Sequence, residues 1–351
     1  MQTAFEIKTT PGILDEMGPV IFGTSGLGNL YEAVPYATKL AIVKACVENA
    51  PGMPVFDSAG KYGAGLSLQV LGQCLMELGI SPDKVIISNK LGWVQTPLTT
   101  PEPTFEKGVW KDIHHDAVQK ISYDGILECF YQGNELLGGY MPQMVSVHDP
   151  DEYLSKATSK EHEDELYHDI LEAYRALAEL KAAGKVAAIG VGSKHWDIIK
   201  RISDDVALDW VMVANSLTLH SHPAELIDFI ASLEQRGVFV INSAVFNGGY
   251  LIGGSHYNYA PVDTATLEGE VLDKWREGFF TLCKKYNIDP AEACFSFSFN
   301  VPGVKSIALS TTKPEKVKRN INMATSQVPP AFWEAMVTNG LLEPSFLPVA
   351  G

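Results

Sequence analysis

Four residues of this sequence have the types and the placement of a proton-transfer set. Asp57 and Tyr62 lie in the stretch VFDSAGKYG (55–63), where the apolar pair Val55 and Phe56 runs into a carboxylate. A small-residue turn follows, then the phenol and a glycine able to open a helix. Two later segments have the same form, an apolar run that delivers one ionisable group: VIISNK ends on Lys90 and MVSVH ends on His148. A carboxylate, a phenol, an ammonium and an imidazole at one rim could donate, accept and steer a proton. Taken singly, each has an ordinary structural explanation: a strand-end aspartate caps a helix, a turn tyrosine packs, a rim lysine is solvated. Their shared position at or just past apolar runs is what joins them.

Bringing four such residues to one rim requires parallel strands. Short β-branched runs alternate with longer amphipathic stretches along the chain. The runs predict strands at 20–22, 55–57, 85–90, 144–148, 186–191, 210–214, 238–244 and 306–309. Helices are predicted at 35–49, 65–78, 123–137, 162–183, 197–202, 224–236, 267–286 and 314–324. In the longest, Leu166, Ile170, Leu171, Tyr174, Leu177 and Leu180 keep the helical period. The runs are not dominated by strict alternation, which argues a parallel sheet buried on both faces, and eight strands are the number that closes a barrel. The expectation is an α/β protein, a (β/α)8 TIM barrel formed as a single domain over residues 1–351. A doubly wound sheet would want a Gly-rich phosphate turn after the first strand, and GTSGLGN (23–29) matches that only in part.

Composition narrows the function classes. The chain has 351 residues, 46% of them hydrophobic and 20% charged, an ordinary balance for a protein that needs no staples. A net charge of −15 with no basic block argues against a nucleic-acid partner. The five cysteines Cys46, Cys74, Cys129, Cys283 and Cys294 are odd in number and far apart, which suggests buried thiols rather than a disulfide framework or a zinc site. The N-terminus lacks a basic region followed by an apolar run, and no segment reaches about 18 apolar residues, so no membrane partner and a cytoplasmic location are expected. The pair His220 and His222 has a ligand-like spacing but lacks further ligands at matching strand ends, and no metal is expected. The sequence sets no oligomeric state.

In order along the chain, VFDSAGKYG, SNKLGW, VHDPD, AIGVGSKHW and TTKPEKVKRNI resemble the segments that characterise the aldo-keto reductases. The resemblance covers nearly the whole chain. Within the superfamily, HDPD after the fourth strand and VFNGGYL after the seventh resemble the aldose, fucose and galactose 1-dehydrogenases together with pyridoxal 4-dehydrogenase. The resemblance implies an NAD- or NADP-dependent oxidoreductase that moves a hydride between nicotinamide and an aldose, or a related aldehyde or hemiacetal. Such a step needs a proton donor and acceptor at the oxygen. A phenol ionises near pH 10, so Tyr62 can serve if a nearby ammonium favours the phenolate. By family analogy Lys90 is that ammonium, Asp57 fixes it, and His148 bonds the same oxygen and orients the substrate.

The resemblance also implies cofactor contacts. Thr24 and Ser25 stand where the first-strand turn approaches the nicotinamide, and Asn215 where the sixth strand does. The fifth-strand turn reads Ser193, Lys194 in place of the family's Ser-Asn or Met-Asn pair, and lysine offers no acceptor to a carboxamide. Phe246 and Asn247 occupy the turn that covers the pyrophosphate. The adenosine end falls on 310–320, including Ser310, Thr311, Thr312, Lys316 and Asn320. NADP-preferring relatives tend to carry a basic residue where Ser310 and Thr312 stand. NAD is therefore slightly favoured, with Lys316 able to reach a 2′-phosphate.

The stretch Gly92–Asp116 is long for a connection and is expected as a functional loop. Its Trp93 and Trp110 could form a wall for a sugar ring, with His195 as a further substrate contact. A different class of function, a nucleotide-binding regulatory barrel without turnover, would keep the same residues; reduced-nucleotide absorbance separates the two.

Overall fold

In the computed structural model, which describes residues 12–346, eight strands close into a (β/α)8 barrel with helices between them. The strands are Val20–Gly23, Val55–Ala59, Ile86–Leu91, Met144–His148, Ala188–Ser193, Trp210–Ala214, Phe239–Ser243 and Val304–Ser310. Each lies beside the next, and the last lies beside the first. The second to fifth strands are buried along their whole length, which is why their sequences do not alternate. By contacts the chain divides into two compact units, at Met212/Val213, Ile307/Ala308 and Ile321/Asn322.

Register decides which side chains share the barrel interior. Asp57 pairs with Ser88, Lys90 with Ser146, and His148 with Gly192, all in parallel ladders. Because side chains repeat every second residue, Asp57, Ser88, Lys90, Ser146 and His148 lie on one face. Gly190 and Gly192 share that face and leave it open. A Cβ on Gly190 would stand 2.4 Å from the Trp210 ring, so the fully buried Trp210 fills the space. A Cβ on Gly192 would meet Lys90 Cδ at 3.4 Å, so the lysine stem runs past bare backbone.

The helices follow the expected spacing and caps. Lys160–Ala182 turns Leu166, Ile170, Ala173, Leu177 and Leu180 inward, and Ser159 Oγ accepts the His162 N–H at 3.1 Å. Several segments depart from the sequence expectation, the unpredicted helices Pro150–Leu154 and Pro330–Thr338 among them. The stretch 92–116 is not a plain loop: Trp93–Pro97 pairs antiparallel with His115–Gln119, which staples both ends of the intervening residues. Pro290–Phe299 forms a helix that the sequence reading does not contain. Its FSFSF alternation imitates a strand, but buried residues surround the axis, so no amphipathic stripe exists to reveal the helical period. Asp289 caps it by accepting the Ala291 N–H at 2.9 Å. All five cysteines are buried free thiols. Among the described residues no helix is long and apolar enough to cross a membrane.

Candidate active site

At the C-terminal rim of the first unit, Lys90 Nζ donates to Asp57 Oδ2, with side chains 3% and 5% exposed. The other carboxylate oxygen accepts from Ser88 Oγ at 3.2 Å. Thr24 is buried beneath this pair, its N–H and its hydroxyl both donating to the Asp57 carbonyl at 3.0 Å. The pair is thus held from its own strand, the next strand and the first turn. Lys90 Nζ lies 4.8 Å from the centroid of the half-buried Tyr62 ring, and the His148 ring meets Tyr62 edge-on at 5.6 Å. The four residues singled out for proton transfer therefore form one cluster.

Tyr62 is placed by its turn. Its N–H donates to Ala59 O at 3.1 Å, and Gly63 follows in the left-handed region at φ +61°. The turn after the first strand packs directly on it: a Cβ on Gly28 would stand 2.8 Å from the Tyr62 carbonyl carbon. Part of the GTSGLGN glycine pattern thus serves the contact of turn on turn.

Burial and the ammonium groups of Lys90 and Lys61 hold the His148 imidazole well below its ordinary range, so it is neutral. Its Nδ1 is buried with no hydrogen-bond partner, and its Nε2 lies 3.6 Å from Asp149 Oδ2. Asp149 adopts the left-handed region at φ +47°, an unusual conformation for a side-chain-bearing residue. Beside it lies a charge cluster that sequence reasoning missed. Lys61, 2% exposed, reaches Glu106, Asp149 and Glu152 at 3.0, 3.4 and 2.7 Å. Burial lowers its affinity for a proton, but the three carboxylates outweigh that and push it up to about 12. The signal was a lysine directly before the phenol, with acids repeated in HDPDE after the fourth strand.

Of the substrate candidates, Trp110 is buried and its ring lies 5.7 Å from Tyr62. Trp93 packs on Phe105 at 5.7 Å, with Lys61 Nζ 5.1 Å from its ring. His195 is exposed at the entry to helix Trp196–Asp205. Ser193 and Lys194 are engaged with acids: the Ser193 hydroxyl donates to Asp151 Oδ1 at 2.6 Å, and Lys194 pairs with Asp149 and Glu152.

The remaining candidates fall in two places. In the first unit, Ser25 and Ser310 hydroxyls lie 3.2 Å apart, and a Cβ on Gly26 would stand 3.1 Å from Thr312. Thr311 Oγ1 accepts the Lys313 N–H at 3.1 Å, Lys316 is exposed and Asn320 is half-buried. In the second unit, Asn247 Nδ2 donates to Asn258 Oδ1 at 2.8 Å, and Phe246 is half-buried. Asn215 and Asn247 stand in the left-handed region, and each has a buried Oδ1 without a partner. An unpaired buried amide oxygen suits a ligand that brings N–H donors, as a nicotinamide does. His220 Nδ1 meets Tyr257 OH at 2.9 Å and His222 Nδ1 meets the Thr218 carbonyl at 3.0 Å. Among the described residues no group of three or more His, Cys, Asp or Glu is placed to hold a metal ion.

The family model described as "Aldo/keto reductase family" matches residues 19–338. The chain belongs to the aldo/keto reductase family. It is 27% identical over 332 residues to a pyridoxal 4-dehydrogenase of Microbacterium luteolum, covering 91% of this chain and 93% of that one. It is 24% identical over 325 residues to a D-threo-aldose 1-dehydrogenase of a Pseudomonas species, covering 92% and 93%. Among solved structures, the glycerol dehydrogenase of Gluconobacter oxydans superposes with a TM-score of 0.67 at 17% identity, over 93% of this chain and 94% of that one. This aldo-keto reductase is an NAD(P)-dependent oxidoreductase, in the branch expected from its turns.

Proposed function

We propose that this aldo-keto reductase oxidises an aldose or a related hemiacetal at the anomeric carbon, with Tyr62 as proton acceptor in oxidation and donor in reduction. The observation that carries this reading is the cluster of Tyr62 with the buried Lys90–Asp57 pair and the neutral His148. The ammonium beside the ring favours the phenolate, which takes the proton of the substrate hydroxyl. Asp57 holds the ammonium, and Ser88 and Thr24 hold Asp57. A neutral imidazole can donate one hydrogen bond to the substrate oxygen without competing for the proton, which suits His148 to orientation.

A bound nicotinamide supplies the hydride acceptor. Thr24, Ser25, Asn215, Phe246, Asn247, Ser310, Thr311, Thr312, Lys316 and Asn320 are assigned to holding the dinucleotide, in keeping with the unpaired Asn215 and Asn247 oxygens. Ser193 and Lys194 are assigned beside it, acting through the acids they engage. NAD is favoured because Ser310 and Thr312 bring no positive charge. The substrate class is assigned to Trp110, Trp93 and the more distant His195. The two indoles offer apolar faces suited to a sugar ring. The same region carries the carboxylates Glu106, Asp149, Asp151 and Glu152 against the ammoniums Lys61 and Lys194, which suits an uncharged polyhydroxy compound better than a phosphorylated one.

The test is a panel of free aldoses, one sugar phosphate and pyridoxal, with NAD and with NADP, followed by reduced-nucleotide absorbance. Turnover of a free aldose with wild type, and a loss of about 10²- to 10⁴-fold in Tyr62→Phe with nucleotide affinity kept, is the expected result. Tight nucleotide binding with no turnover on any compound would replace the enzyme reading by a regulatory one.

A further inference from the structure

Lys61 and Tyr62 are neighbours in sequence, and a second, non-covalent path also joins them. Lys61 Nζ pairs with Glu106 Oε1 at 3.0 Å. The other oxygen of that carboxylate, Oε2, accepts the Trp110 indole N–H at 2.6 Å. The Trp110 ring in turn lies 5.7 Å from the Tyr62 ring. The path therefore closes on itself: lysine, glutamate, tryptophan, tyrosine and back along one peptide bond. Two of its parts are held away from water, Lys61 at 2% and Trp110 at 7% exposure, while the Glu106 side chain between them is 31% exposed and Tyr62 is half-buried.

Glu106 stands in the left-handed region at φ +41°, which a glutamate keeps only where its surroundings fix it. What fixes it is visible: its carbonyl accepts the Val109 N–H at 3.0 Å, and its carboxylate is gripped at both oxygens. Lys61 is anchored from the opposite side by Asp149 and Glu152, just past the fourth strand. One buried ammonium thus ties the residues between the hairpin strands to the end of the strand that carries His148. An ammonium buried this deeply is stable only with its carboxylates, so the tie is strong where it is complete and weak where one partner is lost.

We propose that Lys61 and Glu106 are positioning residues that lock Trp110 over Tyr62, so that an ion pair and one indole hydrogen bond set the wall of the carbonyl pocket. The inference rests on the reading of Tyr62 as the reacting phenol. Neither Lys61 nor Glu106 contacts the reacting atoms in this scheme. Their effect reaches the substrate through Trp110, and so falls on substrate binding more than on the chemical step.

The experiment compares wild type with Lys61→Met, Lys61→Arg and Glu106→Gln, each also carrying Trp110→Phe as a reference. Two quantities are read: acrylamide quenching of Trp110 fluorescence, taken as the difference between each protein and its Trp110→Phe counterpart, and KM and kcat for the best aldose. Glu106→Gln and Lys61→Met are expected to raise quenching about twofold or more and KM about tenfold, with kcat falling less and nucleotide affinity unchanged. Lys61→Arg keeps the charge and is expected to recover most of both. Should Lys61→Met fail to fold, Glu106→Gln carries the same test. Quenching and KM at wild-type values in Glu106→Gln would overturn the lock, as would a fall in kcat with both unchanged. If wild type turns over no carbonyl compound, the catalytic reading fails while the quenching comparison still decides the lock.

Discussion

Lys90 is the residue on which the chemistry of Tyr62 depends, and its two neighbours make opposite demands on it. Toward Tyr62 it is a cation 4.8 Å from a ring centroid; toward Asp57 it is half of a buried ion pair. Lys90→Met removes both. Losing one close charge at an effective dielectric of about 20 is worth several kcal/mol, so the alkaline limb of kcat/KM for oxidation is expected to move up by more than about one pH unit. The same change strands the Asp57 carboxylate, a loss of about 3–5 kcal/mol in stability, which Asp57→Asn in the same chain should partly restore. Asp57→Asn alone should move the limb less, since it touches the ammonium and not the phenol. The checks are pH profiles with one aldose and urea unfolding of the three variants. A limb that stays fixed in Lys90→Met while only the plateau falls would make Lys90 structural, with His148 next to be tested as the proton-transfer group.

The elements that hold these residues were legible in the sequence to the extent that their causes are local. Asp57, Tyr62, Lys90 and His148 could be found because each stands at or just after an apolar run; parallel register carries Asp57, Lys90 and His148 to one face, and the turn after the second strand brings Tyr62 to them. The hairpin Trp93–Pro97 with His115–Gln119 was not legible, because its pairing joins residues far apart in the chain and no turn signal of two residues marks it. The Lys61–Glu106 pair was hidden for the same reason. Helix Pro290–Phe299 was hidden by burial all round, which erases the period that reveals a helix. Gly28 lies between these cases, visible as a glycine but with its reason supplied only by the opposing turn. Gly28→Ala would drive a methyl into the Tyr62 carbonyl at 2.8 Å, with backbone on both sides and no side chain free to yield. We expect about 1–3 kcal/mol lost in stability and a drop in kcat, because the turn carrying Tyr62 must shift. Wild-type kcat in a folded Gly28→Ala protein would show that the turn's position does not govern the phenol.

At the scale of the molecule, three histidines tie folding to acidity. Burial is the first cause for each: His148 is held well below its ordinary range, with Lys90 and Lys61 adding to the effect, and His220 and His222 are lowered as well. In the unfolded chain each takes up a proton near pH 6.5, while in the folded chain each stays neutral to lower pH. The unfolded state therefore binds more protons as the pH falls below about 6.5, and stability declines on the acid side; above that window these groups are neutral in both states and contribute no slope. Each can add up to about 1.4 kcal/mol of loss per pH unit until its folded form also protonates. His220 and His222 offer the cleaner test, since neither belongs to the proposed catalytic cluster. His220 is packed edge-on against Tyr257 and Trp275, and His222 against Phe297 and Phe346, so a charge on either ring would sit among aromatic side chains. Glutamine keeps a polar side chain there and removes the titration. Urea unfolding at steps from pH 8 to pH 5 should show stability falling below about pH 6.5 in wild type, and falling less steeply in His220→Gln and in His222→Gln, each by part of one proton. A slope between pH 6.5 and 5 that is unchanged in both variants would mean that groups other than these two histidines set the acid limit of the fold.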